Sequence, residues 1–206
     1  MWVADPDTGT LQLLNRDEEH AFWAWAVIEV LRHTGVRVEE LLELSHHSLV
    51  QYRLPSTGEL VPLLQIAPSK TDAERLLVVS PELADVLSAI ICRIRRPDGT
   101  VPLVRARDSH ELVWLPPTPL LFQRRGGTEN HSLGGTFVAT LLDEALARTG
   151  LPDPSTGQPL RFTAHDFRRI FITDAVLNGL PPHIAQIIAG HRDIGVTMGR
   201  CRYARH

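Results

Sequence analysis

Three short apolar segments in the first half of the chain have the composition of β-strands: SLVQYRL, VPLLQIAP and RLLVVS. Turn-forming residues, among them Pro55, Gly58 and Pro68, separate them. Long apolar and β-branched side chains bounded by such residues are typical of strands. Because short turns join neighbouring antiparallel strands, the pattern predicts a small three-stranded antiparallel sheet over residues 48–80.

Most of the other periodic segments have helical spacing. Residues 17–33 carry apolar side chains on most sides, which predicts a buried helix that ends at Gly35. Serine followed by proline, as at Ser80 and Pro81, is a typical helix start. We expect further helices over residues 36–45, 81–96, 134–149, 163–178, 181–189 and 193–199. The predicted fold class is mixed α+β, mainly helical, with one small antiparallel sheet.

Residues 97–133 are rich in proline and glycine and have little periodicity. This composition predicts a long irregular insertion, with short strands near residues 112–115 and 120–123. The chain has 206 residues and no internal repeat, so we expect a single domain over residues 1–206.

The composition is that of a soluble globular protein, with 43% hydrophobic and 22% charged residues. No apolar run approaches the roughly 18 residues that a membrane span needs, and no leader-like segment opens the sequence. The two cysteines, Cys92 and Cys201, are too few for a disulfide framework. We therefore expect a cytoplasmic protein without a membrane partner.

The net charge of −3 is unevenly distributed along the chain. Residues 161–206 contain seven arginines and three aspartates, which gives this part +4 and the rest of the chain −7. A basic C-terminal quarter is where a phosphate-binding surface would be expected. A solvated basic face without a ligand is also compatible with the charge alone.

His165 and Arg168, in the segment HDFRR, are three residues apart. On a helix this spacing places both side chains on one face, one turn from each other. Both can donate hydrogen bonds, and arginine can fork onto two phosphate oxygens. The pair suits an anion rather than a metal ion, although an ordinary surface pair has the same spacing.

Three further residues are compatible with anion binding. Arg37 lies at the start of a predicted helix, where backbone N–H groups favour negative charge. Lys70 lies in the turn before the third predicted strand, and His191 follows a predicted helix end in AGHRD. Each also has an ordinary interpretation: Arg37 as a solvent-facing residue beside the acidic Glu39 and Glu40, Lys70 as a polar turn residue, His191 as a helix-end partner.

No metal site is expected, because His46 and His47 have no further histidine or cysteine at the spacing of a zinc site. The sequence also contains neither a glycine-rich phosphate loop nor the G-x-S-x-G elbow of hydrolases. These patterns leave anion binding by arginine, lysine and histidine as the chemistry to explain.

Taken in order, these segments resemble the catalytic domain of the tyrosine recombinases, also called phage integrases. The segments are TGVRVEELLEL, a lysine in a β-turn, HDFRR, AGH and a late tyrosine, and GLPPHIAQIIAGHRDIGVTMG is especially similar. The resemblance covers about residues 20–203. It implies site-specific integration or excision of double-stranded DNA by several recombinase protomers, without a metal or another cofactor.

The resemblance also implies catalytic roles. Arg37 and Arg168 match the family's two arginines, which would clamp the phosphate oxygens where charge develops in phosphoryl transfer. Lys70 matches the hairpin lysine and would protonate the leaving 5′-oxygen. His165 would assist proton transfer from the nucleophile, and His191 would donate a hydrogen bond to the phosphate. A tyrosine hydroxyl would attack the phosphate and form a 3′-phosphotyrosine link.

The position of the nucleophile departs from the family pattern. By the family's spacing the tyrosine would fall at Arg200, whereas Tyr203 lies three residues further on. On a helix, three residues turn a side chain by about 300° and move it about 4.5 Å along the axis. Either Tyr203 is the nucleophile, placed by adjustment or in a partner's site, or the nucleophile is lost and the chain binds DNA without cutting it.

Family members usually carry a helical core-binding domain ahead of the catalytic domain, and residues 1–206 are not expected to include one. A catalytic domain alone is expected to bind DNA weakly, through the backbone and with a steep salt dependence. A protein-interaction module without a DNA role is the remaining alternative. It predicts no salt-sensitive DNA affinity and no effect of changing Arg37 or Arg168.

Overall fold

The computed structural model describes residues 2–4, 11–68, 74–108 and 112–190. In these residues the helices are α1 Leu14–Thr34, α2 Val38–Glu43, α3 Pro81–Ile94, α4 Gly135–Thr149, α5 Ala164–Leu177 and α6 Pro182–Ala189. The strands are β1 Trp2–Ala4, β2 Leu11–Leu13, β3 Leu49–Arg53, β4 Leu60–Ile66, β5 Arg75–Val78, β6 Gln123–Gly126 and β7 Glu129–Ser132. The predicted mixed α+β fold is confirmed, and the helix predicted over residues 193–199 lies outside the described part.

The predicted three-stranded sheet is present, with strand order β3-β4-β5 and antiparallel pairing throughout. Leu64 and Leu77 are directly opposite each other, and both are buried in the core. Because side chains alternate between the two faces of a strand, Arg75 lies on the same inward face as Leu77. The sheet therefore directs one arginine toward the interior of the domain.

Helix α1 is the centre of the core. Ala26, Val27, Val30 and Leu31 are fully buried, and the helix packs against α3, α4 and α5. Burial on several sides explains why its apolar residues do not form a single stripe. In the described residues, no helix combines the length and apolarity that a bilayer crossing requires.

The end of α1 is set by Gly35. Its φ of +60° is in the left-handed region, which favours glycine. A Cβ atom at this position would overlap the ring of Phe171 on α5. Glycine therefore permits both the turn into α2 and the close approach of α5.

Residues 97–133 contain a hairpin that the sequence did not predict, formed by β6 and β7. The strand predicted near residues 112–115 is wrong, since only a single bridge joins Arg107 and Trp114 there. The strand predicted near residues 120–123 begins only at Gln123. Prolines at 116, 117 and 119 lie between the two predicted strands and lack the N–H that a strand ladder needs, so no continuous ladder runs through residues 116–119. The pairing of β1 with β2 was also not predicted.

Candidate functional site

Arg37 lies at the N-cap of α2, in an extended backbone conformation with φ −75° and ψ 159°. Its backbone N–H donates to Oε2 of Glu40 at 2.8 Å, and its Nη1 donates to Oε1 of the same residue at 3.0 Å. The side chain keeps 30% of its surface exposed. Glu40 therefore holds Arg37 at both its backbone N–H and its guanidinium, and the side chain as a whole stays partly exposed.

Arg168 lies on α5 with its side chain only 1% exposed. Its Nη1 donates to the Gly35 carbonyl oxygen at 2.7 Å, and its Nη2 donates to the Ala189 carbonyl oxygen at the end of α6. The guanidinium thus joins the ends of α1 and α6. It is a rigidly placed interior cation, because charged hydrogen bonds fix both of these nitrogens.

Arg75 is the third arginine of the cluster, and sequence analysis did not identify it. Its side chain is 6% exposed, and its Nη2 donates to Oε2 of Glu40 at 2.6 Å. Buried and exposed residues alternate along β5, and Arg75 shares the inward face with the buried Leu77, whereas Leu76 points outward. That alternation is the sequence signal that could have identified it, once the strand was predicted.

Glu40 connects the three arginines, and its side chain is almost fully buried. Its carboxylate accepts from Arg37 and Arg75, and Nη1 of Arg168 lies 4.0 Å from its Oε2. Burial alone would raise the pKa of Glu40, but hydrogen bonds from Arg75 and the Arg37 backbone, with the charges of Arg75 and Arg168, lower it below its ordinary value. Glu40 therefore stays ionised, and the four side chains carry a net charge of about +2.

The sequence analysis did not identify Glu40 as a site residue and named it only as an acidic neighbour of Arg37. The signal available was its position three residues after the residue that begins the helix. A glutamate at that position commonly returns to the N-cap backbone N–H, and Glu40 does so here.

His165 lies in the first turn of α5 and is exposed, whereas Arg168 on the same helix is buried. The turn is fixed by Asp166, which accepts from the backbone N–H and the hydroxyl of Thr163 at 2.9 and 2.7 Å. Burial acts to raise the pKa of Asp166, but these bonds and the nearby Arg169 and His165 lower it. The histidine is thus carried by a well-capped helix start.

Three predicted site residues, Lys70, His191 and Tyr203, lie outside the described residues. The structure accordingly brings together Arg37 and Arg168 around Glu40 and adds Arg75 to them. This arrangement can hold an anion at the partly exposed Arg37, because the cluster of three arginines and Glu40 keeps a net positive charge.

The family model for the phage integrase family matches residues 9–206. The tyrosine recombinase XerD of Lacticaseibacillus casei is 26% identical over 195 residues, which are 95% of this chain and 53% of that protein. The chain thus spans about half the length of this curated relative.

Solved structures of recombinases have the same fold. The XerA recombinase aligns with a TM-score of 0.60 at 18% identity, over 91% of this chain and 57% of that chain. A lambda integrase dimer bound to a COC′ core site also aligns at 0.60, with 16% identity over 93% of this chain and 46% of that chain. The Tn1549 transposon integrase in complex with a circular intermediate DNA aligns at 0.56, with 17% identity over 95% and 63%. With the family match over almost its whole length, the chain belongs to the phage integrase family of tyrosine recombinases.

Proposed function

We propose that residues 1–206 form the catalytic domain of a site-specific DNA recombinase, with residues 97–133 as an insertion. The domain would cut and rejoin double-stranded DNA through a 3′-phosphotyrosine intermediate. The observation that carries this proposal is the meeting of Arg37 and Arg168, from distant parts of the sequence, at one buried carboxylate. Family membership supports the same function.

In this mechanism Arg37 contacts a non-bridging oxygen of the scissile phosphate, since its side chain is the most exposed of the three arginines around Glu40. Arg168 is fixed by two carbonyl oxygens and supplies positive charge from the interior. A cation that is already in place before charge develops on the phosphate requires no reorganisation during the reaction. The two arginines would therefore stabilise the transition state in different ways.

The remaining roles follow the family pattern and are part of the proposal. Lys70 would protonate the leaving 5′-oxygen, and His165 would assist proton transfer from the nucleophile. His191 would donate a further hydrogen bond to the phosphate. Tyr203 would be the nucleophile, and its hydroxyl needs such assistance because a free tyrosine has a pKa of about 10.

A basic groove supports binding of a longer DNA segment. It lies between the end of α3 and the β6–β7 hairpin and has a volume of about 930 Å³. Five arginines line it together with Glu19 and Glu129: Arg93, Arg95, Arg96, Arg124 and Arg125. The groove includes Trp23 on α1. Trp23 is twelve residues before Gly35, which follows the end of α1, and twelve residues rise by about 18 Å along a helix. About five base-pair steps of duplex DNA span the same distance between the groove and the turn that introduces Arg37.

Other protomers of the recombinase are also proposed partners on DNA. The lambda integrase structure to which this chain is similar is a dimer bound to its core site. A domain that binds mainly through phosphates gains affinity when several copies occupy adjacent sites on one duplex.

A second candidate function is DNA binding without strand cleavage. It is favoured by Arg200, which occupies the position where the family's spacing would put the tyrosine. A hydroxyl displaced by about 4.5 Å along a helix would not reach the near-attack distance of about 3–3.5 Å.

Covalent trapping separates these functions. The protein would first select duplexes from a randomised pool, and nicked versions of the selected sites would then be tested for a covalent adduct. The chain has two tyrosines, so Tyr52→Phe is a matched control for Tyr203→Phe. An adduct lost only in Tyr203→Phe supports the recombinase, and selected sites without an adduct support the second function. If no salt-sensitive duplex binding is found, both functions are wrong.

A further inference from the structure

We propose that Arg75 is a positioning residue, which fixes Arg37 through Glu40 and so presents the Arg37 guanidinium to a phosphate. The proposal rests on the proposed function of Arg37 as a phosphate ligand. Arg75 would not contact DNA itself.

The burial of Arg75 separates its role from that of Arg37. Its side chain is 6% exposed, against 30% for Arg37. It lies on the inward face of β5, in register with the buried Leu77. A guanidinium in this position is enclosed by the domain and acts on a ligand only through its neighbours.

The two oxygens of Glu40 have different partners. Oε2 accepts from Nη2 of Arg75 at 2.6 Å and from the backbone N–H of Arg37 at 2.8 Å. Oε1 accepts from Nη1 of Arg37 at 3.0 Å. The bond from Arg75 to Oε2 therefore fixes the rotation of the carboxylate. In this rotation Oε1 is directed at the Arg37 guanidinium.

The rotation of a glutamate carboxylate is only weakly restrained by its own torsion, so its hydrogen bonds decide it. Without Arg75, Nη1 of Arg168 is the next cation, at 4.0 Å from Oε2. Oε2 would turn toward Arg168, and both bonds between Glu40 and Arg37 would weaken. Arg75 thus prevents Arg168 from competing for the carboxylate that holds Arg37.

The charges around Glu40 give the proposal a second consequence. Arg37 on α2, Arg75 on β5 and Arg168 on α5 face it, and Glu43 on its own helix adds negative charge nearby. Removing Arg75 takes away a hydrogen bond and a positive charge, while the burial of the carboxyl remains. The pKa of Glu40 should then rise, and Arg37 should lose its hold as the pH falls.

The test uses NMR on the full chain without DNA, so that it does not depend on activity. We would compare Arg75→Met and Arg75→Lys with Arg53→Met, an exposed arginine in the same sheet. Two quantities are measured: the carboxyl titration of Glu40, assigned with Glu40→Gln, and hydrogen exchange of the Arg37 backbone N–H. Arg75→Met should raise the Glu40 pKa and speed Arg37 exchange at least tenfold, with Arg75→Lys between it and the wild type. Arg53→Met should change neither.

An unchanged Glu40 titration and unchanged Arg37 exchange in Arg75→Met would overturn the proposal. If Arg75→Met does not fold, the same two measurements on Arg75→Lys and Arg75→Gln decide it in the same way. In the trapping assay, Arg75→Met should slow adduct formation at least tenfold with less than a twofold change in duplex Kd, and Arg75→Lys should recover part of the rate. A wild type without adduct would contradict the recombinase function, whereas the NMR result would still decide whether Arg75 positions Arg37.

Discussion

Nη1 of Arg168 donates a hydrogen bond of 2.7 Å to the carbonyl oxygen of Gly35, across 133 residues of sequence. This bond joins the helix that carries the H-x-x-R pair to the turn that introduces Arg37. Because the bond runs from a buried side chain to the main chain, the relative placement of the two arginines is part of the folded core. Stability and site geometry are therefore expected to change together.

Replacing Arg168 by alanine should destabilise the fold by about 3 kcal/mol, since it removes two charged hydrogen bonds from a buried site. Arg169→Ala is the matched control, because Arg169 is half-exposed and forms a surface ion pair with Asp166. We expect a change within about 0.5 kcal/mol for the control. Urea unfolding measures the free energy of unfolding of both variants. An equal loss in the two would contradict a stabilising contribution of the buried Arg168 hydrogen bonds.

Gly35→Ala should cost about 2 kcal/mol or more, because it combines a positive φ with overlap on the Phe171 ring. Gly99→Ala separates the two causes. Gly99 has a φ of +87° with no atom within 4 Å of an added Cβ, so only about 1 kcal/mol of backbone strain is expected. Thermal unfolding of both variants tests this, and a smaller loss for Gly35→Ala than for Gly99→Ala would contradict it.

The stability contributed by Glu40 should depend on pH. Its folded pKa is below the ordinary value, so the contribution is present above the unfolded value of about 4.3 and is lost as the pH falls through the folded value. Glu40→Gln should therefore lose about 3 kcal/mol at neutral pH, where it leaves buried arginines uncompensated. The difference from the wild type should shrink in acid, as urea unfolding across the pH range would show.

Glu43, on the same helix, should behave in the opposite way. Glu43 lies at the surface, where partial desolvation of its carboxyl, followed by the charges of Asp108, Glu40 and Glu39, raises its pKa above the ordinary value. Its ionisation therefore opposes folding above that raised pKa, and the penalty disappears as the pH falls. Glu43→Gln should stabilise the protein at neutral pH, and a loss there equal to that of Glu40→Gln would contradict the assignment.

The basic groove should contribute to DNA affinity through phosphates. The double variant Arg95→Ala/Arg125→Ala should weaken duplex binding for all sequences and lower the salt slope by about two. Arg53→Ala, an exposed arginine on β3 outside the groove, should have little effect. Fluorescence anisotropy at several salt concentrations measures both quantities, and an unchanged slope in the double variant would exclude the groove from the DNA interface.

Local pattern was sufficient for the sheet and most helices, as Leu64 and Leu77 show. The apolar segments that contain them, bounded by turn residues, predict strands, and in the structure the two leucines are directly opposite each other in the core. The β6–β7 hairpin was missed because its strands, QRRG and ENHS, are polar and lack apolar alternation. There the turn at Gly127, with φ of +67°, carries the signal instead.

The candidate site was predictable only where a motif marked it. Residue type and spacing first indicated Arg37, Lys70, His165, Arg168 and His191, and the resemblance then assigned roles to them and to Tyr203. Three of these six residues, Arg37, His165 and Arg168, are described. Arg75 lies outside the segments that carry the resemblance, and Glu40 lies in TGVRVEELLEL but was given no role there. An arginine in a strand and a glutamate in a first helical turn are ordinary surface residues until tertiary packing brings them together at 2.6 Å.

The second anchor of Arg168 is the Ala189 carbonyl oxygen, so the arginine recognises main chain rather than a partner side chain. The bond depends on the path of the backbone and does not depend on which side chain residue 189 has, provided that this side chain fits. A side chain at residue 189 that fits the buried site therefore needs no compensating change at Arg168, because the bond uses only the main-chain carbonyl. A proline substitution that redirects the end of α6 would break the bond. The contact therefore constrains the backbone path at residue 189 and not the identity of its side chain.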